Sequence, residues 1–176
     1  MPLVKNGKSV EDAYVRILDD TAVPDEGAVL VPAARLLADA GEFVRRTGQT
    51  GVLWPNDREV SELVPYLDRL ALVALVFPNF KDGRAYSQAR VLRERHHFRG
   101  ELRATGQILR DQFLFLLRSG FDTLEVTKSA DAAAFAETIG RYSVFYQPAT
   151  DGRLPALRRR LTAPAASVSG MEHLES

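Results

Sequence analysis

The chain has 176 residues, of which 45% are hydrophobic and 26% are charged, ordinary fractions for a soluble globular protein. Its 23 Lys and Arg residues balance 23 Asp and Glu residues, so no overall charge attracts it to nucleic acid or to a membrane surface. Cysteine is absent, which excludes disulfides, thiolate catalysis and any zinc or iron–sulfur site built on thiolates of this chain.

The sequence shows no segment that would target the chain to a membrane. No apolar run approaches the ~20 residues of a membrane-spanning helix, and residues 1–20 lack the apolar core of a signal peptide. We therefore expect a cytoplasmic protein. We predict three parts: an N-terminal β-hairpin extension over residues 1–27, an α/β domain over residues 28–147, and a helical and disordered C-terminal tail over residues 148–176.

The N-terminal extension begins with a short strand signal at residues 3–5. Asn6 and Gly7 follow, a pair typical of a two-residue hairpin turn. Residues 13–17 alternate between apolar and polar side chains and are predicted to form the return strand. The extension is therefore expected to be a small antiparallel hairpin.

From residue 28 onwards, short apolar strands alternate with helical stretches. The strand signals centre near residues 30, 53, 75, 102, 124 and 145, with one helical stretch in each gap. This pattern predicts an α/β fold of five to six βα units with a mostly parallel sheet. Eight units do not fit, so a full eightfold barrel is excluded. Two architectures stay open: a partial (half) TIM-barrel-like sheet and a flavodoxin-like open sheet.

A strongly polar turn follows the strand signal at residues 71–77. It contains Lys81, and Asp82, Gly83 and Arg84 stand where the next helix begins. The free N–H groups at a helix start favour an anion, and the two cations would strengthen that preference. The alternative is that Asp82 simply caps the helix and Arg84 is solvated.

The loops that follow parallel strands all emerge at one edge of the sheet, where α/β proteins usually bind ligands. The sequence therefore predicts a site that draws on these loops and on the strands beside them. Its ligand-binding candidates are Asn56, Lys81, Gly83, Arg84, Arg103, Gln107 and Lys128, and its catalytic candidates are Asp82 and Glu101.

Glu101 and Arg103 lie on the same face of one predicted strand, since side chains alternate along a strand. Glu125 lies similarly in the next strand. Buried charges must be paired to be tolerated. One interpretation is a functional charged cluster inside a barrel-like mouth, and the other is a structural ion pair at an open sheet edge.

Residues 107–119 are apolar almost all round the predicted helix. Such a helix is either buried in the centre of the fold or covered by another protein. The second interpretation predicts a homodimer or a partner contact through the face between Phe113 and Leu117. No nucleotide-binding or metal-binding motif is present, so the cofactor stays unknown and no metal is predicted.

Several segments together resemble the domain-of-unknown-function 934 family. They include VKNG at residues 4–7, WPND at residues 54–57, FPNFKDGRAYS at residues 77–87, RGELRA at residues 99–104 and LRDQ at residues 109–112. The resemblance covers about residues 3–147. The resemblance implies a bacterial cytoplasmic protein that takes part in assimilatory sulfate and sulfite reduction. Members of this family are commonly labelled as probable oxidoreductases.

Three functions agree with this resemblance. The first is an accessory protein of sulfite reduction that binds a small anion at the loop edge. The second is an enzyme acting on a small anionic metabolite, with Asp82 or Glu101 as acid–base and with Arg84 and Arg103 as clamps. The third is a module that docks on the sulfite or adenylylsulfate reductase through the apolar helix.

Overall fold

The protein is described here by a computed structural model that covers residues 2–18, 21–128 and 130–141, with single positions at 149, 156 and 158. Its strands are β1 Leu3–Lys5, β2 Lys8–Val10, β3 Tyr14–Arg16, β4 Ala28–Pro32, β5 Thr50–Trp54, β6 Leu70–Phe77, β7 Glu101–Gly106 and β8 Thr123–Glu125. They form one eight-stranded sheet in the order β2-β1-β8-β7-β6-β5-β4-β3. Neighbours from β3 to β8 are parallel, whereas β1 is antiparallel to β8 and to β2. The mostly parallel α/β fold is confirmed, in its half-barrel form.

The helices lie mainly between the parallel strands. They are α1 Ala33–Ala38, α2 Ala40–Arg45, α3 Arg84–Arg90, α4 Phe113–Arg118 and α5 Asp131–Arg141. Helix α3 continues into a π-helical segment, Val91–Arg95, and a short 3₁₀ segment, Arg110–Gln112, precedes α4. The helix predicted to start near residue 107 begins later because Leu109 is extended, with φ −103° and ψ 155°.

The segment between β5 and β6 differs most from the predicted helix. Val60–Arg69 form a 3₁₀ helix with Pro65 inside it, a residue that cannot donate a backbone hydrogen bond. Because side chains three residues apart eclipse in a 3₁₀ helix, Val60 and Leu63 share the buried face. Val64, the residue after Leu63, lies off this face and is 46% exposed.

The N-terminal hairpin is present, but its predicted return strand is wrong. β2 returns beside β1 after the turn at Asn6 and Gly7, whose φ angles are 50° and 76°. β3, which covers most of the predicted return strand, pairs in parallel with β4 at the opposite edge of the sheet. The alternating pattern identified a strand correctly but could not identify its neighbour.

The connection between β2 and β3 requires the sheet to curl. These are the two outermost strands, yet only Glu11, Asp12 and Ala13 separate them in sequence. The four Cα steps between them span at most ~14 Å, whereas the edges of a flat eight-stranded sheet would lie ~34 Å apart. The two edges must therefore approach each other, and the sheet gains a concave interior.

Side chains of the two sheet faces form two hydrophobic clusters. The larger cluster lies on the helix side and includes Val52, Val73 and Leu102 together with Leu36 and Phe113. The smaller cluster lines the concave side and consists of Leu30, Leu72 and Ala74, with Tyr14 and Leu53 packed against it. The concave interior is thus partly apolar, and its remaining part holds the charged groups described below.

Some predictions fall outside the described residues. They are the strand centred near residue 145 and the tail at residues 148–176, apart from its three described positions. The domain boundary after residue 27 stays a prediction, although β1 to β3 share the sheet with the later strands. Within the described ranges, no helix combines the length and the apolar character needed to cross a bilayer.

Candidate functional site

Asp82 and Arg84 form a tightly bonded pair at the start of α3. Oδ1 of Asp82 accepts from the backbone N–H of Arg84 at 3.2 Å and from its Nε at 3.0 Å, while Oδ2 accepts from Nη2 at 2.7 Å. The hydrogen bonds from Arg84 hold the pKa of Asp82 well below its usual range. At neutral pH Asp82 is therefore ionised and has no proton to donate.

Asn56 joins this pair from the loop after β5. Its side chain is 8% exposed, and its Nδ2 atom has no hydrogen-bond partner among the described residues. The amide also helps to lower the pKa of Asp82, after the larger effects of Arg84, although it completes no hydrogen bond of ordinary geometry. The structure thus brings together three of the predicted site residues, which we call the rim cluster: Asn56, Asp82 and Arg84.

Gln88 is a rim residue that the sequence reasoning missed. Its Nε2 donates to the carbonyls of Pro55 at 3.1 Å and Arg58 at 2.8 Å, which fastens the loop after β5 to α3. Its Oε1 is buried and, within the described part of the chain, unpartnered. The sequence feature that could have identified Gln88 is its position, a polar residue in the apolar stripe that Ala85 and Ala89 form along this helix.

The other predicted rim residues make only local contacts. Nζ of Lys81 lies 5.6 Å from the ring centre of Phe80. Gly83 precedes α3 with φ −87°, a conformation open to any residue. The backbone N–H of Gln107 donates to the Phe77 carbonyl at 2.8 Å, and that of Lys128 donates to Asp131 at 3.3 Å. A ligand-binding role for these four residues stays a prediction.

Arg103 lies in the concave interior, where its side chain is only 1% exposed. Its Nε donates to Glu101 at 3.1 Å, and its Nη1 lies 2.8 Å from Asp12 and 3.9 Å from Glu125. The guanidinium carbon also lies 5.4 Å from the ring centre of Tyr14. Burial, reinforced by Glu101 and Asp12 and opposed by Arg103, raises the pKa of Tyr14.

Glu125 extends these contacts across the curled sheet. It is 3% exposed and accepts from Arg16 of β3 and from Thr105 of β7. Glu101 accepts from the hydroxyl of Thr123 at 2.6 Å. We call this group the interior network; its members are Asp12, Tyr14, Arg16, Glu101, Arg103, Thr105, Thr123 and Glu125.

The rim cluster and the interior network differ in how accessible their arginine side chains are. Arg84 is 58% exposed, whereas the donors of Arg103 are engaged by carboxylates of the fold. Among the described residues, the ion pairs of the two arginines have no partner in common: Arg84 pairs with Asp82, whereas Arg103 pairs with Asp12, Glu101 and Glu125. Their joint role as clamps of one ligand stays a prediction, and the ion pair between Glu101 and Arg103 is present.

Sequence reasoning missed the β3 members of the interior network. Glu101 and Glu125 outnumber Arg103, so one more cation was needed to balance a buried group. Arg16 supplies it, and Asp12 then adds a further carboxylate from the same segment. In the described ranges, no group of three or more His, Asp or Glu side chains is placed to hold a metal ion.

Apolar side chains are exposed beside the rim cluster. Phe80, Leu109 and Phe115, which we call the rim patch, are 46%, 44% and 58% exposed. Gln112 links the first two, donating to the Phe80 carbonyl and accepting from the Leu109 N–H, both at 3.0 Å. The ring centre of Phe115 lies 4.6 Å from that of Tyr86. Helix α4 therefore buries one side and exposes Phe115 on the other.

The chain matches a known protein family. A family model described as a bacterial protein of unknown function (DUF934) matches residues 51–157. The matched span begins within β5 and includes the rim cluster, Gln88, and the β7 and β8 members of the interior network. No curated protein matches the chain.

Proposed function

Since the chain belongs to the bacterial protein family of unknown function DUF934, we propose that it is an accessory protein of assimilatory sulfite reduction that binds a small anion at the rim of its sheet. The pathway is supported by the family resemblance of the sequence motifs. The guanidinium of Arg84, which is 58% exposed at the rim, carries the proposal of anion binding.

The carboxylate of Asp82 occupies the position that an anion would take at Arg84. It accepts both from the guanidinium and from the first N–H of the helix. The guanidinium of Arg84 is 58% exposed, so an anion from solvent can reach it and compete with Asp82. Asn56 and Lys81 would then add donors for the incoming ligand.

Ligand-induced thermal stabilisation tests the anion role. Sulfite, sulfate and adenylylated sulfate at millimolar concentration are each added to the full chain, and the melting temperature is recorded. We expect at least one of them to raise the melting temperature, and Arg84→Gln to remove the shift. Arg90→Gln is the matched control, since Arg90 lies on the same helix, is 62% exposed and pairs with Glu94. No shift with any of the three anions would reject the anion role.

The Asp82→Asn variant separates anion binding from catalysis. Because it removes the negative charge that competes for Arg84, we expect it to bind the anion several-fold more tightly than the wild type. An enzyme that uses Asp82 as its acid–base would instead lose turnover with no gain in affinity. Calorimetric titration of both proteins with the same anion distinguishes the two outcomes.

A growth experiment tests the proposed pathway. A strain that lacks the gene is grown with sulfate, sulfite or sulfide as the only sulfur source. We expect sulfide, but not sulfite, to restore growth, because the proposed step is the reduction of sulfite. Growth on sulfite would reject a role in sulfite reduction, and it would leave the question of anion binding at the rim unaffected.

The rim patch favours a second candidate function, docking on a reductase of the pathway or on a second copy of the chain. Phe115 is its most exposed member. In a pull-down with the sulfite and adenylylsulfate reductases, Phe115→Glu should abolish capture. Val64→Glu is the control, because Val64 is exposed to 46% on a different helix. Light scattering of the same two variants tests self-association.

A further inference from the structure

Three arginines without partners lie where β6 and β7 begin, at the end of the sheet opposite the rim cluster. Arg69, Arg95 and Arg99, which we call the base patch, are exposed, and their guanidinium groups make no hydrogen bond or ion pair with any residue that the structure describes. The exposed arginines Arg84 and Arg90, by contrast, pair with carboxylates. The base patch therefore keeps its hydrogen-bond donors available for a partner.

The pairing of β6 with β7 brings two members of the base patch close together. The strands are parallel neighbours, and a Cβ atom placed on Gly100 would lie 2.8 Å from the carbonyl oxygen of Ala71. Arg99 precedes Gly100, and Arg69 lies two residues before Ala71. Because adjacent strands run about 5 Å apart, the backbones at these two arginines are neighbours.

The loop between the π-helical segment and β7 is fixed from inside. Phe98 is buried, and Nη1 of Arg93 donates to the carbonyls of Phe98 at 2.6 Å and Gly100 at 2.9 Å. The exposed residue between them, His97, has a φ of 53°, a left-handed conformation that is unfavourable for a residue with a Cβ atom. The loop thus presents its exposed residues in one backbone arrangement, which lowers the entropic cost of binding a partner.

A small apolar pocket opens beside Arg69, where β5 and β6 begin. Its volume is about 210 Å³, much of which is open to solvent, so it can take no more than a small aliphatic side chain. The residues that line it come from α1, α2, the 3₁₀ helix and the start of β6, and they include Leu36, Ala40, Phe43, Tyr66, Arg69 and Leu70. An apolar contact is therefore available directly next to a free guanidinium group.

The carboxylates at this end of the sheet leave positive charge in excess near β7. Asp68 is exposed beside Arg69 in the sequence, whereas Asp25 and Glu26 precede β4, two strands away from β6. Within the described ranges, none of these carboxylates forms an ion pair with the base patch. An acidic partner is therefore attracted to the β7 side and repelled from the β4 side.

We propose that the base patch and its pocket bind an acidic segment of a partner protein. Carboxylates of that segment pair with Arg95 and Arg99, since a planar guanidinium matches a carboxylate well. A small aliphatic side chain beside them enters the pocket next to Arg69. The apolar pocket favours a peptide over nucleic acid, whose backbone offers no aliphatic side chain. Because this surface lies at the end of the strands opposite the rim, the inference does not depend on the anion role.

Selection of peptides on the full chain tests the inference. A phage-displayed library of random peptides is panned on the immobilised protein, and we expect the enriched peptides to be rich in Asp and Glu and to share an Ala or Val. The double variant Arg95→Gln/Arg99→Gln should weaken their binding about fivefold in fluorescence anisotropy. Ala40→Leu, which narrows the pocket, should also weaken it. Arg58→Gln/Arg90→Gln is the matched control, since it removes the same charge from two arginines outside the base patch.

The arginine variants should fold normally, because neither Arg95 nor Arg99 has a side-chain partner in the described part of the chain. An unchanged melting temperature verifies this. Enriched peptides that lack acidic residues, or that bind the double variant as tightly as the wild type, would overturn the inference. A labelled single-stranded RNA that binds the base patch more tightly than the selected peptides would assign the surface to nucleic acid instead.

Discussion

Arg103 is a single residue on which the concave interior depends. It is buried, and it lies within ion-pair distance of Asp12, Glu101 and Glu125, which come from three separate segments of the chain. Low solvent exposure removes the water that would otherwise stabilise these charges. The side chain therefore joins the N-terminal segment to β7 and β8 by charge rather than by apolar contact.

Replacing this arginine should destabilise the fold strongly. Arg103→Met leaves the buried Glu125 and the partly buried Glu101 without their shared cation, and breaking a buried pair in this way costs about 3–5 kcal/mol. Urea unfolding of the variant measures the loss. Arg90→Gln, which removes an exposed pair with Glu94, should cost less than ~1 kcal/mol. A loss within ~1 kcal/mol for Arg103→Met would mean that the network contributes little to stability.

Tyr86 should make the stability of the protein vary with pH in the alkaline range. Burial, reinforced by Asp111, raises its pKa from 10.0 to about 12. Between these values the tyrosine of the unfolded chain ionises while that of the folded chain stays protonated, so the free energy of unfolding should fall as the pH rises. Melting temperatures across this range measure the fall.

Tyr86→Phe is the matched variant for this pH dependence. It keeps the ring contacts with Phe77, Phe115 and Phe121 and removes only the titrating hydroxyl. Its melting temperature should decline less steeply above pH 10 than that of the wild type. Tyr14 remains in both proteins, so its own raised pKa cancels in the comparison. Identical alkaline profiles for the two proteins would contradict the assignment.

Some features of the candidate site follow from local sequence patterns, and others do not. Glu101 and Arg103 were placed on one face of a strand because period-two alternation is a local property. Asn56, Asp82 and Arg84 were placed at one edge because parallel strands end together. The pairing of Asp12 with Arg103 joins positions 91 residues apart. It depends on sheet curvature, which no local pattern encodes.

At the level of elements, strands were easier to locate than helices. The signals near residues 53, 75 and 102 fall inside β5, β6 and β7 because buried parallel strands are continuous apolar runs. Helix type depended on single residues, such as the proline inside Val60–Arg69. The partner of β3 could not be predicted, because an alternating strand pairs equally well with a sequence neighbour or with a distant edge.

The N-terminal hairpin should depend on close packing at its turn. Gly7 has φ +76°, and a Cβ atom there would lie 2.5 Å from that of Ala136 in α5. Gly27 has a similar φ of +79° but faces open space. Gly27→Ala should therefore cost ~1–2 kcal/mol, the strain of the left-handed conformation. Gly7→Ala should cost ~1–3 kcal/mol more, because it also overpacks the contact with α5.

Urea unfolding of the two glycine variants separates strain from packing. The strain is nearly equal at the two positions, so the difference between the variants reports the contact between the hairpin and α5. Equal losses of stability would show that the hairpin can shift away from the helix without penalty.

For the whole molecule, the half barrel and the open sheet were not separable by sequence pattern, since both have the same βα alternation. Strand order decides between them. Once β2 and β3 are known to be opposite edges, their three-residue connection excludes a flat sheet. Curvature then explains why one face of the sheet can hold charged groups that a doubly covered parallel sheet would not tolerate.

Removing residues 1–18 tests whether the N-terminal strands are part of the cooperative fold. The truncation uncovers Leu30, Leu72 and Glu125, which are 2%, 0% and 3% exposed in the full chain. It also removes Asp12 and Arg16, two charged partners of the interior network. We expect the shortened chain to bind a hydrophobic dye and to unfold in urea over a broader range than the full chain. Adding a synthetic peptide of residues 1–18 should restore a steeper transition. A truncated chain that unfolds cooperatively at the midpoint of the full chain would mean that β4 to β8 fold without their N-terminal strands.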